Sequence, residues 1–128
     1  TWSFKIGNTI ACGKTDTAII TLERNAFTFF GPSSCSMDTG MVITVYLENG
    51  ALDKDITNLV TNKVAFYYYD RVTPSYIFMS QTNSPFSATI DNYNHQTKIA
   101  SGTFTGNTLR SDGIAASITS GKFKVKLL

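Results

Sequence analysis

The last third of the chain, residues 86–128, reads FSATIDNYNHQTKIASGTFTGNTLRSDGIAASITSGKFKVKLL and decides the predicted fold class. Its closing segment, residues 121–127, alternates between apolar residues and lysines. The apolar residues are Phe123, Val125 and Leu127, and the lysines are Lys122, Lys124 and Lys126. A period of two is typical of a β-strand with one buried face and one face in water. Repeated lysines on the wet face usually protect an edge strand, so we expect this strand near a sheet edge.

Composition indicates a single all-β domain. A chain of 128 residues is long enough to bury one core. Hydrophobic residues make up 42%, and nine Phe and six Tyr accompany many Thr, Ser and Asn residues. Thr and aromatic residues favour strands, whereas Asn and Ser favour turns. We therefore predict one domain over residues 1–128, an antiparallel β-sandwich of roughly nine or ten strands. A closed or half-closed antiparallel β-barrel is the alternative, because it gives the same alternation.

Charge excludes some classes of partner. The formal net charge is +2 and charged residues are 16% of the chain, which points to neither a nucleic acid nor a membrane partner. We predict no nucleic-acid partner. We also expect no phosphate or polyanion site at the lysine ladder, because such sites usually need more basic residues than this chain has.

Three segments in the first half show clear strand alternation: residues 2–6, 18–22 and 41–47. In the second of them, the residues on one face are Ala18, Ile20 and Leu22. In the third, the residues predicted to face inward are Met41, Ile43, Val45 and Leu47. Residues 51–59 show no sustained periodicity, and we predict a loop there, with a single helical turn or a short strand as alternatives.

The densest aromatic run, VAFYYY at residues 64–69, contains the candidate binding residues. Alternation sends Phe66 and Tyr68 to one face and Tyr67 and Tyr69 to the other. If the first pair is core, the second pair stands outside, where aromatic rings stack on sugars or anchor a protein. The candidate ligand-binding residues are Tyr67, Tyr69, Tyr76 and Tyr46. In the alternative, both faces are buried and the tyrosines are core residues with hydrogen-bonded hydroxyls.

The two cysteines, Cys12 and Cys35, have no CxxC spacing, and the chain has one histidine, so a zinc site is not predicted. Either the two form a disulfide between the first strand region and a later loop, or they are two small buried thiols. A bridge of this span would contribute about 3 kcal/mol. It would also mean that the protein folds outside a reducing cytoplasm.

Catalytic and metal-binding patterns are weak. His95 lies in a polar hairpin turn near Asp91, and no GxSxG segment presents a serine, so we expect a turn residue rather than a triad member. The acids Asp53, Asp55 and Asp70 fall in connections, where carboxylates are ordinarily solvated. Asp53 and Asp55 form a weak calcium candidate that lacks the glycine and the closing Glu of an EF-hand. We predict no enzyme, no cofactor and no metal beyond that candidate.

The closing third resembles a group of Bacteroidetes secreted or lipid-anchored domains of unknown function. The resemblance rests on two segments: residues 98–104 read Lys-Ile-Ala-Ser-Gly-Thr-Phe where the group has Lys-x-Ile-Ser-Gly-Thr-Phe, so that Ala100 separates Ile99 from Ser101, and residues 118–123 fit the group's Ile-Thr-x-Gly-x-Phe. The matching residues are Ile90, Tyr93, Lys98, Ile99, Ser101, Gly102, Thr103, Phe104, Ile118, Thr119, Gly121 and Phe123. The resemblance implies export and display at a cell envelope, and it implies no catalytic residues. From the residues alone, Gly102 inside a strand pattern marks a bulge or a close approach of another backbone.

These observations predict a non-enzymatic binding or presentation module with a glycan or protein ligand, either secreted, periplasmic or at the cell surface. No apolar run approaches the length of a membrane span, and we expect any export signal or lipid anchor upstream of Thr1. The first alternative is a β-barrel carrier of a small apolar ligand. The second is a weak hydrolase.

Overall fold

A computed structural model of the chain describes residues 1–15, 17–47, 52–73 and 75–127. These ranges contain eleven antiparallel strands and no helix, so the predicted all-β antiparallel fold is confirmed, with more strands than expected. The strands are β1 (Trp2–Ile6), β2 (Thr9–Gly13), β3 (Thr17–Ile20), β4 (Ala26–Pro32), β5 (Thr39–Tyr46), β6 (Ile56–Thr61), β7 (Val64–Asp70), β8 (Ser75–Ser80), β9 (Phe86–Asn94), β10 (Ile99–Arg110) and β11 (Ala115–Lys126). Within the same ranges, no helix has the length and apolar character needed to cross a membrane.

The strands form one open sheet that branches at β10. The main path is β2-β1-β11-β10-β8-β7-β5-β4-β3. The first part of β10 pairs with β9, which in turn pairs with β6, while residues 108–110 of β10 pair with β8. A register shift between Phe104 and Gly106 bends β10 between these two parts. The sheet thereby divides into two layers, which agrees with the predicted sandwich and not with a closed barrel.

We call β1, β2, β6, β9, β11 and the first part of β10 the first layer, and β3, β4, β5, β7 and β8 the second layer. Aromatic rings fill the space between them. The ring of Phe4 on β1 meets the rings of Phe66 and Tyr68 on β7 edge-on, at 5.3 and 5.4 Å between centroids. Phe123 on β11 lies 5.3 Å from Phe29 on β4. Such pairs stabilise the core beyond the area they bury.

Glycines opposite aromatic residues let these rings lie across the neighbouring strand. Five cross-strand pairs have this form: Gly13 with Trp2, Gly40 with Tyr69, Gly102 with Phe123, Gly106 with Phe86, and Gly121 with Phe104. At Gly102 the register of β10 against β9 also shifts, and a Cβ there would overlap the carbonyl oxygen of Thr89. The prediction that Gly102 marks a bulge and a close backbone approach is therefore confirmed.

The inward residues of β5 are as predicted: Met41, Ile43 and Val45 are fully buried. The pattern at residues 18–22 was wrong at its end. Strand β3 stops at Ile20, and Leu22 is 98% exposed because the chain turns there. The hydroxyl of Thr21 donates to the side-chain oxygen of Asn25 at 2.9 Å and closes this turn.

Strand β2, which pairs with β1 along its whole length, was not predicted. Strand β6 includes residues 56–59, where we predicted a loop and kept a short strand as an alternative. Of that expected loop, residues 52–55 do lie between strands, Leu52 is fully buried, and residue 51 lies outside the described residues. In β6, Asn58 has a φ of 53°, a left-handed conformation that Asn tolerates better than most residues. Asn58 interrupts the alternation of apolar and polar residues that would have predicted a strand.

We expected the strand with the lysine ladder near a sheet edge, and it is the third strand from the edge, with β1 and β2 outside it. Strand β11 lies inside the sheet, between β10 and β1. Lys122 sits opposite Ser3 on one side and Thr103 on the other. The ladder therefore lies on the outer face of an interior strand, because the first strand of the chain pairs with the last.

Of the two alternatives for Cys12 and Cys35, the structure has the disulfide, with 5.4 Å between the two Cα atoms. It ties the edge strand β2 of the first layer to the segment that follows β4 in the second. A β-bridge between Gly13 and Ser33 and a 2.7 Å hydrogen bond from the Ser34 amide to the Cys12 carbonyl support the same junction. The bridge thus links the two layers at one end of the sandwich.

Candidate ligand-binding face

The solvent side of the second layer carries a row of apolar side chains, and we call this side the aromatic face. The strand registers place Phe30 on β4, Val42 on β5, Tyr67 on β7 and Met79 on β8 opposite one another, and Leu109 on β10 continues the row. Tyr67 is 43% exposed, and the others are half-buried. Because cross-strand partners share a face, these side chains form a continuous strip.

The next row adds two more tyrosines. Tyr69 on β7 lies opposite Gly40 on β5 and Tyr76 on β8, beside a register shift between Tyr68 and Tyr69. A Cβ placed on Gly40 would be 2.5 Å from the Tyr69 hydroxyl oxygen and 2.6 Å from Cζ. The ring of Tyr69 therefore lies down on the sheet across the glycine. Tyr69 thus lies on the same face of β7 as the exposed Tyr67, two residues away, and we call this part of the face the aromatic platform.

Tyr46 stands apart from this platform. It is 47% exposed and lies at the far end of β5, four residues beyond Val42, which corresponds to about 13 Å along a strand. Between them, the hydroxyls of Thr28 and Thr44 are hydrogen-bonded at 2.8 Å. Tyr46 lines a separate depression of about 390 Å³. The structure thus brings together three of the four predicted tyrosines and places the fourth at the margin.

The alternative prediction was that both faces of the aromatic run are buried, and this holds for only one face of β7. Tyr68 is 7% exposed, and its hydroxyl is hydrogen-bonded to that of Thr39 at 2.7 Å, as expected for a core tyrosine. Tyr67 and Tyr46 are exposed, and Tyr69 and Tyr76 are half-buried. Their role in binding remains a prediction.

The aromatic face offers apolar plates and hydroxyl groups. Within the described part of the chain, the outward positions of β4, β5, β7 and β8 hold no charged side chain. Rings of this kind provide apolar area for stacking, and Tyr and Thr hydroxyls both donate and accept hydrogen bonds. The arrangement fits a neutral ligand with apolar faces and polar edges.

His95 belongs to a polar network at the end of β9. Its Nδ1 lies 3.2 Å from the hydroxyl of Tyr93, a fully buried residue whose hydroxyl also accepts from the Arg24 guanidinium at 3.3 Å. Lys98 lies 3.1 Å from the same ring, and the backbone amide of His95 donates to Asp55 at 2.8 Å. His95 is thus a turn residue, as predicted, but half-buried, and its contacts join the 21–25 turn and the 52–55 connection to the 95–98 turn.

The weak calcium candidate gains no further ligands. Asp53 and Asp55 are exposed, and one carboxylate oxygen of Asp55 accepts the amide hydrogen of His95. Among the residues with a described placement, no three His, Cys, Asp or Glu side chains come together in a metal-binding group. Asp70, the third acid expected in a connection, is instead the last residue of β7, and its carboxylate accepts a hydrogen bond from the backbone amide of Val72 at 2.8 Å in the turn before β8.

In comparisons with known proteins, no family model, no curated protein and no solved structure matched this chain. The resemblance of the closing third to Bacteroidetes envelope domains therefore stays a prediction. The structure assigns packing roles to two of the signature residues. Gly102 allows the close approach of β9, and the buried ring of Phe104 stacks on Phe86 at 6.4 Å.

Proposed function

We propose that this chain is a non-enzymatic binding module of the cell envelope or the extracellular space, and that the aromatic face binds a glycan. The observation that carries the proposal is the platform formed by the exposed Tyr67 beside Tyr69, whose ring lies across Gly40. A sugar ring has an apolar face that stacks on such a plate, while its hydroxyls bond to neighbouring polar groups.

The composition of the surrounding face favours a neutral glycan over a charged ligand. Phe30, Val42 and Met79 extend the apolar area on both sides of Tyr67. Hydroxyl groups lie nearby at Thr28 and Thr44. Charged side chains, which would fix an ionic ligand, do not occupy the outward strand positions among the described residues of this face. A protein partner would use the same apolar strip and is an alternative outcome of the test.

Location outside the cytoplasm is supported by the disulfide. Bridges such as Cys12–Cys35 persist in oxidising compartments and are rare in a reducing cytoplasm. The resemblance of the closing third to exported envelope domains implies the same location. Both supports are independent of the aromatic face.

The two alternative functions have weaker support. A carrier of an apolar ligand needs an internal cavity. A depression of about 630 Å³ between the two layers, with Phe4, Tyr68 and Phe78 in its lining, favours this alternative. Against it, the rings of Phe4, Phe66 and Phe104 meet one another and fill the neighbouring part of the interior. A hydrolase needs a group positioned for proton transfer or attack. The described contacts of His95, Asp55 and Asp70 give those side chains structural roles in turns.

A glycan array tests the proposal with three proteins. These are the wild type, the double variant Tyr67→Ala/Tyr69→Ala, and the control Val60→Ala/Ile114→Ala, which removes exposed apolar side chains outside the aromatic face. We expect the wild type and the control to bind the same glycans, and the double variant to bind at least about tenfold more weakly, since loss of a hot-spot side chain costs more than about 1 kcal/mol. Equal signals from the double variant and the wild type would overturn the assignment of this face. A wild type that binds no glycan would overturn the glycan proposal itself.

A further inference from the structure

A second surface lies on the opposite side of the sandwich, and it has the opposite chemistry. Five exposed lysines meet on the outer side of the first layer, which we call the basic face. They are Lys5, Lys14, Lys122, Lys124 and Lys126. We propose that the basic face is a binding site for an anionic polysaccharide, carrying carboxylate or sulfate groups. This proposal does not depend on the aromatic face.

The strand order brings these lysines together. Lys122, Lys124 and Lys126 occupy alternate positions of β11, about 7 Å apart along the strand. Lys5 joins them because β1 pairs with β11, and it lines the same depression as Lys122. Lys14 joins them because it follows β2, the next strand. We expected no polyanion site because the whole chain has only 11 Lys and Arg residues, but the topology gathers five of them on one face.

Two adjoining depressions lie among four of the five lysines, and Lys126 lines neither of them. One has a volume of about 630 Å³ and lies between Lys5 and Lys122. The other has a volume of about 460 Å³ and lies beside Lys14, Lys122 and Lys124. Ser3 and Lys122 line both, so the two depressions are neighbours on the outer side of β1 and β11, and we call them together the groove. A register shift on this side, with Ser120 at a φ of 53°, shapes the first depression.

The charge of the groove is uncompensated within the described part of the chain. No Asp or Glu lines either depression. None of the five lysines lies within ion-pair distance of a described carboxylate. Among the described residues, the ion pair that forms joins Arg110 to Asp112. A chain with a net charge of +2 thus concentrates five positive charges on one face. Like charges gathered without partners attract a polyanion over distances up to the Debye length, about 10 Å at 0.1 M salt.

The groups between the lysines favour a polysaccharide over other polyanions. The groove is lined by hydroxyl side chains that suit sugar hydroxyls: Ser3, Ser34, Thr103, Thr105 and Ser120. The rings that border it are buried, with Phe4 1% and Phe123 4% exposed, so they offer no plate on which nucleic-acid bases would stack. Ile10 is the exposed large apolar residue along the groove, whereas binding in a lipid interface needs a broad apolar face.

Fluorescence anisotropy with labelled heparin and labelled polygalacturonate, against neutral dextran, tests the proposal. We expect the wild type to bind at least one of the two anionic polymers and not dextran, with affinity falling steeply between 50 and 500 mM salt, about the range over which screening shortens the Debye length severalfold. The variant Lys122→Gln/Lys124→Gln is expected to bind about five- to tenfold more weakly. The control Lys54→Gln/Lys63→Gln makes the same change in net charge at exposed lysines elsewhere, and we expect less than a twofold effect.

Several results would overturn the proposal. Equal losses in the two lysine variants would mean that net charge alone attracts the polymer, without a site at the groove. Binding to vesicles with anionic lipids, together with no binding to either polysaccharide, would assign the basic face to a membrane surface. The variant Tyr67→Ala/Tyr69→Ala is expected to bind the anionic polymer as the wild type does, so failure of one surface is distinguishable from failure of the other.

Discussion

Replacing Gly102 by alanine tests how β9, β10 and β11 pack together within the first layer. A Cβ at this position would overlap the carbonyl oxygen of Thr89 and come within 2.9 Å of the Phe123 ring. The ring has some freedom to move, but Thr89 is fixed between two strands, opposite Thr103 on β10 and Val60 on β6. Overpacking costs about 1–3 kcal/mol, and each strained backbone hydrogen bond adds about 1 kcal/mol. We therefore expect Gly102→Ala to lower the free energy of unfolding by about 3 kcal/mol.

Equilibrium unfolding in urea measures this loss, read as a lower midpoint with an unchanged slope. The matched control is Thr103→Ala on the next residue, whose side chain is exposed and for which we expect a loss of no more than about 1 kcal/mol. A loss of about 3 kcal/mol is a large share of the roughly 5–15 kcal/mol typical of a domain. If Gly102→Ala is no more destabilising than its control, the close approach of β9 to β10 described above is incorrect.

Three further changes test separate parts of the structure. Replacing Cys12 and Cys35 by alanine is expected to cost about 3 kcal/mol in urea unfolding, because the bridge closes a loop with a sequence separation of 23; a loss that persists when both proteins are fully reduced would contradict this origin. Phe66→Ala is expected to lower the free energy of unfolding by about 3–5 kcal/mol, because the Phe66 side chain is fully buried. Leu22→Ala should change it by no more than about 0.5 kcal/mol, because the Leu22 side chain is 98% exposed. Similar shifts in melting temperature for the two variants would refute these burials. His95→Ala is expected to cost about 1 kcal/mol through its contact with the Tyr93 hydroxyl, and a loss above 3 kcal/mol would show that the network has a larger role.

Alternation predicted the strands that have one face in the core and one in water. Met41, Ile43 and Val45 are buried, as the pattern predicted. Tyr67 is exposed on one face of β7, and its neighbour Phe66 is buried on the other. These predictions succeeded because burial on one face imposes a period of two on the sequence.

Local pattern failed where hydrogen bonds or backbone conformation ended the alternation. Leu22 continues the apolar spacing of Ala18 and Ile20, but the turn closed by Thr21 takes it into solvent. Strand β6 was missed because Asn58, in a left-handed conformation, and its polar neighbours hide the pattern. Neither the turn at Thr21 nor the left-handed conformation of Asn58 produces a periodic pattern in the sequence.

Strand order could not be predicted from the sequence, and both proposed surfaces depend on it. The neighbours of Tyr67 on the aromatic face, Val42 and Met79, lie opposite it through strand registers that no short segment encodes. The lysine ladder suggested an edge strand, whereas pairing of β1 with β11 places it in the interior and brings Lys5 beside Lys122. Contacts between distant parts of the chain decide these features.

The most direct test of the central claim, that the aromatic face is the binding surface, is amide chemical-shift mapping with a glycan identified on the array. We expect the largest shifts at Tyr67, Tyr69 and Met79 and at their neighbours on β5, and shifts near zero at Lys5 and Lys122 across the sandwich. Shifts centred on the basic face, or spread evenly over both layers, would contradict the claim.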